Sequence, residues 1–222
     1  MEELNFDRDG ARLFAGQATN SLSNLKGLAR SLPPGKAGVR LHDLPALSEL
    51  LRPDGSITRI AAILLEGEAR AVRALLLDKT IDTNWSLEWH QDRTICVSKK
   101  REQPGFGPWS VKEGMHHVEP PFSLLSRMVT LRVHIDAVPV DNAPLLVALG
   151  SNCVGRIAQS KIDGVIARSR VMICTAAAGD IWAYATPILH ASKAATRPRH
   201  RRVLQVDFSA DKLPGELEWL GV

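Results

Sequence analysis

Cysteine is scarce in this sequence of 222 residues. The three cysteines, Cys96, Cys153 and Cys174, are odd in number and widely spaced, so they form neither the ligand pattern of a zinc site nor the pairs of a disulfide framework. Free cysteines are usually buried, and we expect three buried or half-buried thiols. The scarcity excludes a disulfide-stapled scaffold and leaves stability to a hydrophobic core.

Long apolar runs are also missing. No stretch approaches the ~20 residues that a membrane span needs, and the first ten residues, MEELNFDRDG, are acidic and polar and lack a signal-peptide core. We therefore expect a cytoplasmic protein. The sequence shows no repeat and no low-complexity segment, and its length favours one domain over residues 1–222.

Aromatic residues make up only 5% of the chain, although the net charge is +4. Much of the positive excess lies in Arg197–Arg202. No platform of closely spaced aromatics accompanies this cluster, so base stacking with nucleic acid is not indicated. A local cluster of cations suits an anionic small molecule, and we expect a small-molecule substrate as the partner. Nothing in the sequence indicates the oligomeric state.

The arrangement of apolar residues predicts a mainly β fold with flanking α-helices. Residues 1–67 read as helical, with a helix over Pro45–Arg52 and a second one that Ser56 caps and Gly67 ends. Residues 70–210 alternate between short β-rich runs and turns, apart from a possible helical insertion over Gly155–Arg168. Such a pattern is typical of a cupin-like jelly roll, the double-stranded β-helix. The eight runs are Ala71–Leu77, Asn84–Trp89, Thr94–Ser98, Met128–Ile135, Pro144–Leu149, Val171–Ala176, Asp180–Ala185 and Arg201–Phe208.

Three polar residues indicate a metal site. His90 and Asp92 flank Gln91 at the end of a predicted strand, and on extended backbone residues i and i+2 project to the same side. His190 ends a later apolar run. Two imidazoles and one carboxylate form the facial triad of non-haem iron(II) oxygenases, which leaves coordination positions open. Arg201, eleven residues after His190, could bind a dicarboxylate through a bidentate pair.

Each of these features is ordinary when it stands alone. A His-x-Asp sequence occurs by chance, and this chain holds a second one, His134 and Asp136. A single histidine is more often structural, and a basic run is usually a solvated face. The order of the features carries the argument: His-x-Asp, about one hundred residues, a histidine, and an arginine at +11 on a strand.

The sequence also resembles the bacterial branch of the phytanoyl-CoA dioxygenase family, over about residues 70–210. Two departures from that family occur. Residues 148–152 take the place of a Pro-Gly-Ser-His turn but lack its proline and its histidine, and Ala143 replaces the glycine of an Asn-Gly pair. Neither change affects a predicted metal ligand. The segments that carry the resemblance are Leu77–Thr80, Asn84–Trp85, Trp89–Asp92, Gly105–Lys112, His117–Pro121, Met128–Asp136, Leu189–Ser192 and Arg201–Leu204.

The resemblance implies iron(II), 2-oxoglutarate and O2 as cofactor and co-substrates, and hydroxylation of an unactivated C–H bond as the reaction. In that case His90, Asp92 and His190 hold the metal. Since related halogenases replace the carboxylate with Gly or Ala, Asp92 favours hydroxylation over halogenation. The second pair, His134-x-Asp136, is interpreted as structural or pocket-lining. The residues implied for 2-oxoglutarate are Arg201, Ser192, Trp109 and Gln91.

Several alternatives remain open from the sequence. Arg202 adjoins Arg201, and strand alternation does not choose between them because both faces of a jelly-roll strand can be buried. The chain could be a cupin-type iron oxygenase that does not use 2-oxoglutarate, or a non-catalytic jelly-roll binding protein. Candidates for the substrate pocket are Trp85, Trp89, Trp109, Arg132, His134, His116, His117 and Trp182.

Overall fold

A computed structural model describes residues 3–222 of the chain. Helix α4 begins at Ser56, with Gly55 at the capping position, so the expectation that Ser56 caps it is wrong by one residue. The amide of Gly67 donates to the carbonyl of Ala62 and closes the turn that follows this helix. The α-helices are α1 (Phe6–Asp9), α2 (Leu22–Ser31), α3 (Pro45–Leu50), α4 (Ser56–Leu64), α5 (Phe122–Leu125) and α6 (Ile162–Ile166).

Thirteen strands occur in the described residues, including one near each of the eight predicted runs. Two of the additional strands, β1 and β2, lie inside the region that was predicted to be helical, and β6 and β7 form a hairpin after the first His-x-Asp. The strands are β1 (Ala11–Phe14), β2 (Gly38–Leu41), β3 (Arg70–Lys79), β4 (Leu87–His90), β5 (Ile95–Val97), β6 (Trp109–Lys112), β7 (Met115–Val118), β8 (Met128–His134), β9 (Leu145–Ala148), β10 (Val171–Cys174), β11 (Ile181–Ala185), β12 (His190–Ser192) and β13 (Arg201–Ser209).

The strands form antiparallel sheets whose order matches a jelly roll. The largest sheet has the order β1-β11-β8-β13-β3-β2, a second has the order β10-β9-β12-β4, and a small third sheet has the order β5-β7-β6. Apolar side chains of β9, β10 and β11 pack together between the first two sheets. The predicted double-stranded β-helix with flanking helices is therefore confirmed, and β1 and β2 extend its larger sheet.

The two faces of the larger sheet differ in chemistry because side chains alternate along each strand. One face carries apolar residues such as Leu131, Leu204 and Phe208, which pack with α2, α3 and α4 in the main hydrophobic core. Burying each of these side chains contributes about 1.5–3 kcal/mol. The face toward the second sheet is rich in polar groups, of which Arg73 is half-buried and the others are buried: Lys79, Thr130, Arg132, His134, Arg201, Gln205 and Asp207.

The expected helical insertion is present. Residues Gln159–Lys161 form a 3-10 turn that leads into α6, and Ile162 and Val165 pack there against Leu189, just before β12. Of the cysteines, Cys96 and Cys174 are buried as expected, but Cys153 is exposed. None of the helices within residues 3–222 has the length and apolar character needed to cross a membrane.

Candidate metal centre

His90, Asp92 and His190 converge on one point. His90 ends β4 and His190 begins β12, and the register of these strands places the two residues directly opposite each other. Their ring centroids are 4.2 Å apart. Asp92 follows β4 by two residues, and one ligand atom from each of the three side chains lies within 4.8 Å of the others. The predicted convergence is therefore confirmed.

Both imidazoles present the same nitrogen to this point. His90 Nδ1 lies 2.7 Å from the Glu88 carbonyl, and His190 Nδ1 lies 3.0 Å from the Ile188 carbonyl. A carbonyl can only accept, so each Nδ1 carries a proton, and in the neutral form of each ring Nε2 keeps a free lone pair. Burial lowers the pKa of His190 to about 4, against the opposing effect of Asp92. A neutral ring at pH 7 is the form that ligates metals.

Asp92 supplies the negative charge of the triad. Burial alone would raise its pKa, but the Arg73 guanidinium and the two histidines outweigh burial, and the pKa lies below its ordinary value. Arg73 Nη2 lies 3.5 Å from Asp92 Oδ2, yet Oδ2 is buried without a hydrogen-bond partner. A buried, ionised oxygen without a partner is costly unless a cation meets it. The three donors therefore fit a divalent metal ion.

Gln91 points away from the triad. Its amide nitrogen donates to the carbonyls of Gly155 and Pro187, and its amide oxygen accepts from the backbone of Ile157. The side chain thus joins the segment between two ligands to two separate loops. Its polar atoms are occupied by backbone groups, so the predicted contact of Gln91 with 2-oxoglutarate finds no support in this geometry.

Arg201 and Arg202 have different surroundings. Arg202 pairs with Asp136 through two contacts of 2.8 and 2.7 Å on the helical side of the sheet. Arg201 lies on the inner face and is 2% exposed. It donates to the carbonyl of Ala143, and its Nε has no partner. Burial, reinforced by Arg132, lowers the pKa of Arg201 to about 9. The geometry favours Arg201 as the free cation.

Ala143 and Ser192 complete the surroundings of Arg201. Ala143 has a φ of 54°, in the left-handed region where the family has glycine. Its carbonyl accepts from Arg201 and, at 3.4 Å, from the Ser192 hydroxyl. The structure thus brings Arg201 and Ser192 together around one carbonyl group, and their contact with 2-oxoglutarate stays a prediction.

Lys79 is a third polar residue in this region, and no sequence pattern indicated a role for it. It is 1% exposed and lies directly opposite Arg201 in the β3–β13 pairing. Its Nζ donates to Ser192 Oγ at 3.0 Å and to the Trp85 carbonyl at 2.6 Å. Burial and the charges of Arg201 and Arg132 lower its pKa to about 7. Only the strand register could have revealed this pairing.

Arg132 and His134 also face the interior. Arg132 is 5% exposed, and its Nη1 donates to Gln205 Oε1 at 3.1 Å, whereas its Nε has no partner. Both ring nitrogens of His134 are buried without partners. Burial, Arg132 and Arg201 lower the pKa of His134 to about 3. Asp136 pairs with Arg202 instead, so the second His-x-Asp sequence does not form a metal site.

The predicted aromatic residues separate into different environments. Trp85 lies near the interior cations, with Lys79 Nζ 4.7 Å from the centre of its ring. Trp89 packs against the helical insertion beside Ile166, on the side of β4 opposite to His90. Trp109 packs with a cluster under the small third sheet, apart from the triad. Of these three, Trp85 lies nearest to the interior cations.

The remaining pocket candidates have structural contacts. His117 Nε2 lies 3.0 Å from Cys96 Sγ, and both residues are buried beneath the third sheet. His116 is half-buried on the same hairpin. The indole nitrogen of Trp182 donates to the Thr175 carbonyl at 2.9 Å. The predicted role of the two histidines in the pocket therefore has no support in their contacts.

Comparison with known proteins agrees with this geometry. A search of curated protein sequences finds no match. AviO1 from Streptomyces viridochromogenes is similar in structure, with a TM-score of 0.67, 17% identity, and 95% of this chain and 94% of that chain covered. EctD from S. alaskensis with 2-oxoglutarate and 5-hydroxyectoine has a TM-score of 0.66, 16% identity, and 98% and 77% covered.

A third similar structure is the non-haem α-ketoglutarate-dependent epimerase SnoN from nogalamycin biosynthesis, with a TM-score of 0.64, 14% identity, and 95% and 87% covered. At these identities the likeness establishes the fold. The family model for phytanoyl-CoA dioxygenase (PhyH) matches residues 35–203, which is most of the sequence and includes all three residues of the triad. The chain therefore belongs to the phytanoyl-CoA dioxygenase family.

Proposed function

We propose that this chain, as an iron(II)- and 2-oxoglutarate-dependent enzyme of its family, hydroxylates an unactivated C–H bond of a small-molecule metabolite. The observation that carries the proposal is the pairing of two features in one interior. A triad of two histidines and one ionised carboxylate lies at the edge of the second sheet, and the buried guanidinium of Arg201, which has no carboxylate partner in the described residues, lies on the inner face of the larger sheet.

His90 and His190 would hold the metal through Nε2, and Asp92 would hold it through a carboxylate oxygen. Three protein ligands leave the remaining positions open for co-substrates. When bound, the metal supplies the oxidising chemistry, in which O2 and 2-oxoglutarate are converted to succinate and CO2 while one oxygen atom enters the substrate. The protein holds the ligands in their neutral and ionised forms, and it excludes bulk water from the interior.

Arg201, Ser192 and Lys79 would bind the distal carboxylate of 2-oxoglutarate. Arg201 offers a planar fork of donors that matches a carboxylate. Beside it, Lys79 and Ser192 are hydrogen-bonded to each other. Burying a carboxylate without a partner would cost several kcal/mol. A buried guanidinium without an anion carries a similar cost, so the carboxylate of the ligand and Arg201 would each neutralise the other.

The substrate would approach from the side of Asp92. A cavity of about 130 Å³ reaches Asp92, and its wall includes an ion pair of 2.6 Å between Arg156 and Glu119. Apolar groups such as Phe122 and Leu125 line the same cavity. A mixed lining of this kind suits a small amphipathic metabolite. We propose that residues 1–222 form one catalytic domain around this interior.

Succinate formation and product mass test the proposal. The full chain would be reconstituted with iron(II) and incubated with 2-oxoglutarate, O2 and a library of metabolites. We expect metal-dependent succinate, together with a product heavier than its substrate by one oxygen atom. A product of unchanged mass would indicate epimerisation, the reaction named for SnoN, and would overturn the assignment of hydroxylation.

Anaerobic calorimetry separates the two competing functions. If the chain binds iron but not 2-oxoglutarate, it is a cupin-type oxygenase that does not use this co-substrate. If it takes up no iron, it is a binding protein on the same fold. A variant with Asp136→Asn is a matched control, because that carboxylate also belongs to a His-x-Asp sequence but pairs with Arg202.

A further inference from the structure

Arg132 occupies a central place on the inner face of the larger sheet. It lies opposite Gln205 on β13. Counted along β13, this position is two residues from Asp207 and four residues from Arg201. Asp207 in turn binds Arg73, which contacts the metal ligand Asp92. Since residues advance by about 3.4 Å along a strand, Arg132 lies between the metal triad and Arg201, along the path between them.

The interior carries more positive charge than its own acids neutralise. Arg73 contacts both Asp92 and Asp207. By contrast, Lys79, Arg132 and Arg201 form no ion pair with any carboxylate in the part of the chain that the structure describes. If the distal carboxylate of 2-oxoglutarate neutralises Arg201, Arg132 still lacks an anion.

We propose that Arg132, together with His134, forms a second carboxylate-binding site in the interior, between the metal triad and Arg201. The inference rests on the proposed function and adds a ligand for a residue to which that function gives no role. Arg132 offers an Nε without a partner. His134, two residues further along β8, is buried and offers ring nitrogens that are also without partners.

Two carboxylates could occupy this site. One is the C1 carboxylate of 2-oxoglutarate, whose second oxygen is free to accept hydrogen bonds from the protein. The other is a carboxylate of the hydroxylated substrate. Both present the same planar acceptor to the guanidinium. In the first case the second site is already filled once 2-oxoglutarate binds, and in the second case it stays open for the substrate.

Calorimetry on the full, metal-free chain distinguishes these sources, because without metal the C1 end is held by the protein alone. The probes are 2-oxoglutarate and 4-oxobutanoate, which lacks the C1 carboxylate. If Arg132 holds C1, Arg132→Met weakens 2-oxoglutarate at least tenfold and leaves 4-oxobutanoate unchanged. If the substrate occupies the site, butyrate or hexanoate binds the chain saturated with 2-oxoglutarate, and Arg132→Met removes that binding.

A structural role for Arg132 makes the opposite predictions. The proposal requires that the carboxylate ligand raise the melting temperature of the wild type more than that of Arg132→Met, because only the wild type holds the guanidinium that pairs with it. A lower melting temperature with unchanged affinity for all four probes would overturn it. Arg202→Met is the matched control, since that guanidinium lies on the neighbouring strand β13, is already paired with Asp136, and should leave each affinity unchanged.

Gln205→Glu gives an independent test if Arg132→Met does not fold. The new carboxylate would lie against Arg132 at the position of the present amide oxygen, 3.1 Å from Nη1. We expect a higher ligand-free melting temperature and a loss of the second carboxylate site. Unaltered affinities would count against the proposal. If the iron-loaded wild-type chain does not bind 2-oxoglutarate, the proposed function fails instead, and Arg201→Met then has no effect either.

Discussion

His90 and His190 face each other directly across β4 and β12, although one hundred residues separate them in the chain. The backbone pairing fixes the distance between the rings, and the carbonyls of Glu88 and Ile188 fix their orientation. Two of the three donors are therefore positioned by the sheet itself. Only Asp92 depends on a loop and on side chains around it.

Asp92→Ala should abolish succinate formation and reduce iron content far below one equivalent. The variant loses the only charged donor of the triad, and two imidazoles alone hold iron(II) weakly. Metal analysis and coupled succinate assays would measure both effects. Asp136→Asn should keep its iron. Near-normal turnover of Asp92→Ala would disprove the metal assignment.

Arg201→Met should raise the KM for 2-oxoglutarate by roughly 30- to 4,000-fold, since losing a buried charge-assisted pair costs about 2–5 kcal/mol. Arg202→Met should change the KM little, because that side chain pairs with Asp136 on the other face. Steady-state kinetics with varied 2-oxoglutarate would measure the difference. The reverse result would show that Arg202, and not Arg201, binds the distal carboxylate of 2-oxoglutarate.

The affinity for 2-oxoglutarate should fall as the pH rises above about 7. The pKa of Lys79 is about 7 in the ligand-free chain instead of 10.5, and a bound carboxylate favours its charged form, so binding takes up a proton. Calorimetry from pH 6.5 to pH 9, in roughly half-unit steps around this pKa, would show the trend. Lys79→Met should remove it, and an unchanged slope in that variant would assign the trend to another group.

The same lysine has an effect on stability with a defined sign. Because its pKa is lower in the folded chain than the ordinary 10.5, the unfolded chain binds more protons between about pH 7 and pH 10.5. The Lys79 contribution therefore stabilises the ligand-free fold as the pH rises through this window. Denaturant unfolding of the wild type and of Lys79→Met, compared at pH 7 and near the upper end of this window, would measure the difference.

Arg73→Lys should lower the affinity for iron(II) by about 10- to 100-fold, the usual effect of changing a group that orients a metal ligand. Lysine keeps the charge but cannot bridge Asp92 and Asp207 as the guanidinium does. Competition with a chelator would measure the affinity. Arg70→Lys is the control, since Arg70 lies on the same strand and pairs with Glu68 at the surface. Equal affinities in all three proteins would contradict this role.

Two residues of the triad could be predicted from the sequence because their spacing is local. The i, i+2 spacing of His90 and Asp92 follows from extended backbone, and the family pattern supplies His190. The same alternation could have excluded Trp89, since a residue adjacent to an inward His90 must face outward, where it packs on the helical insertion. Lys79 could not be found in this way. Its role depends on pairing with Arg201, 122 residues away.

The strands β1, β2, β6 and β7 were missed for a different reason. β6 and β7 lack the apolar runs that mark the other strands, since β6 is largely exposed and β7 begins with half-buried residues. β1 and β2 lie at opposite edges of the larger sheet, embedded in a helical region. Edge strands take their stability from the neighbouring strand, which a local pattern does not contain.

The buried cations of the inner face make small anions a part of the folding equilibrium. A ligand that binds only the folded chain adds about 2.7 kcal/mol at one hundred times its dissociation constant, and here it also removes the cost of unpaired interior charge at Arg201. We expect the cellular lifetime of this enzyme to follow the supply of its own co-substrate.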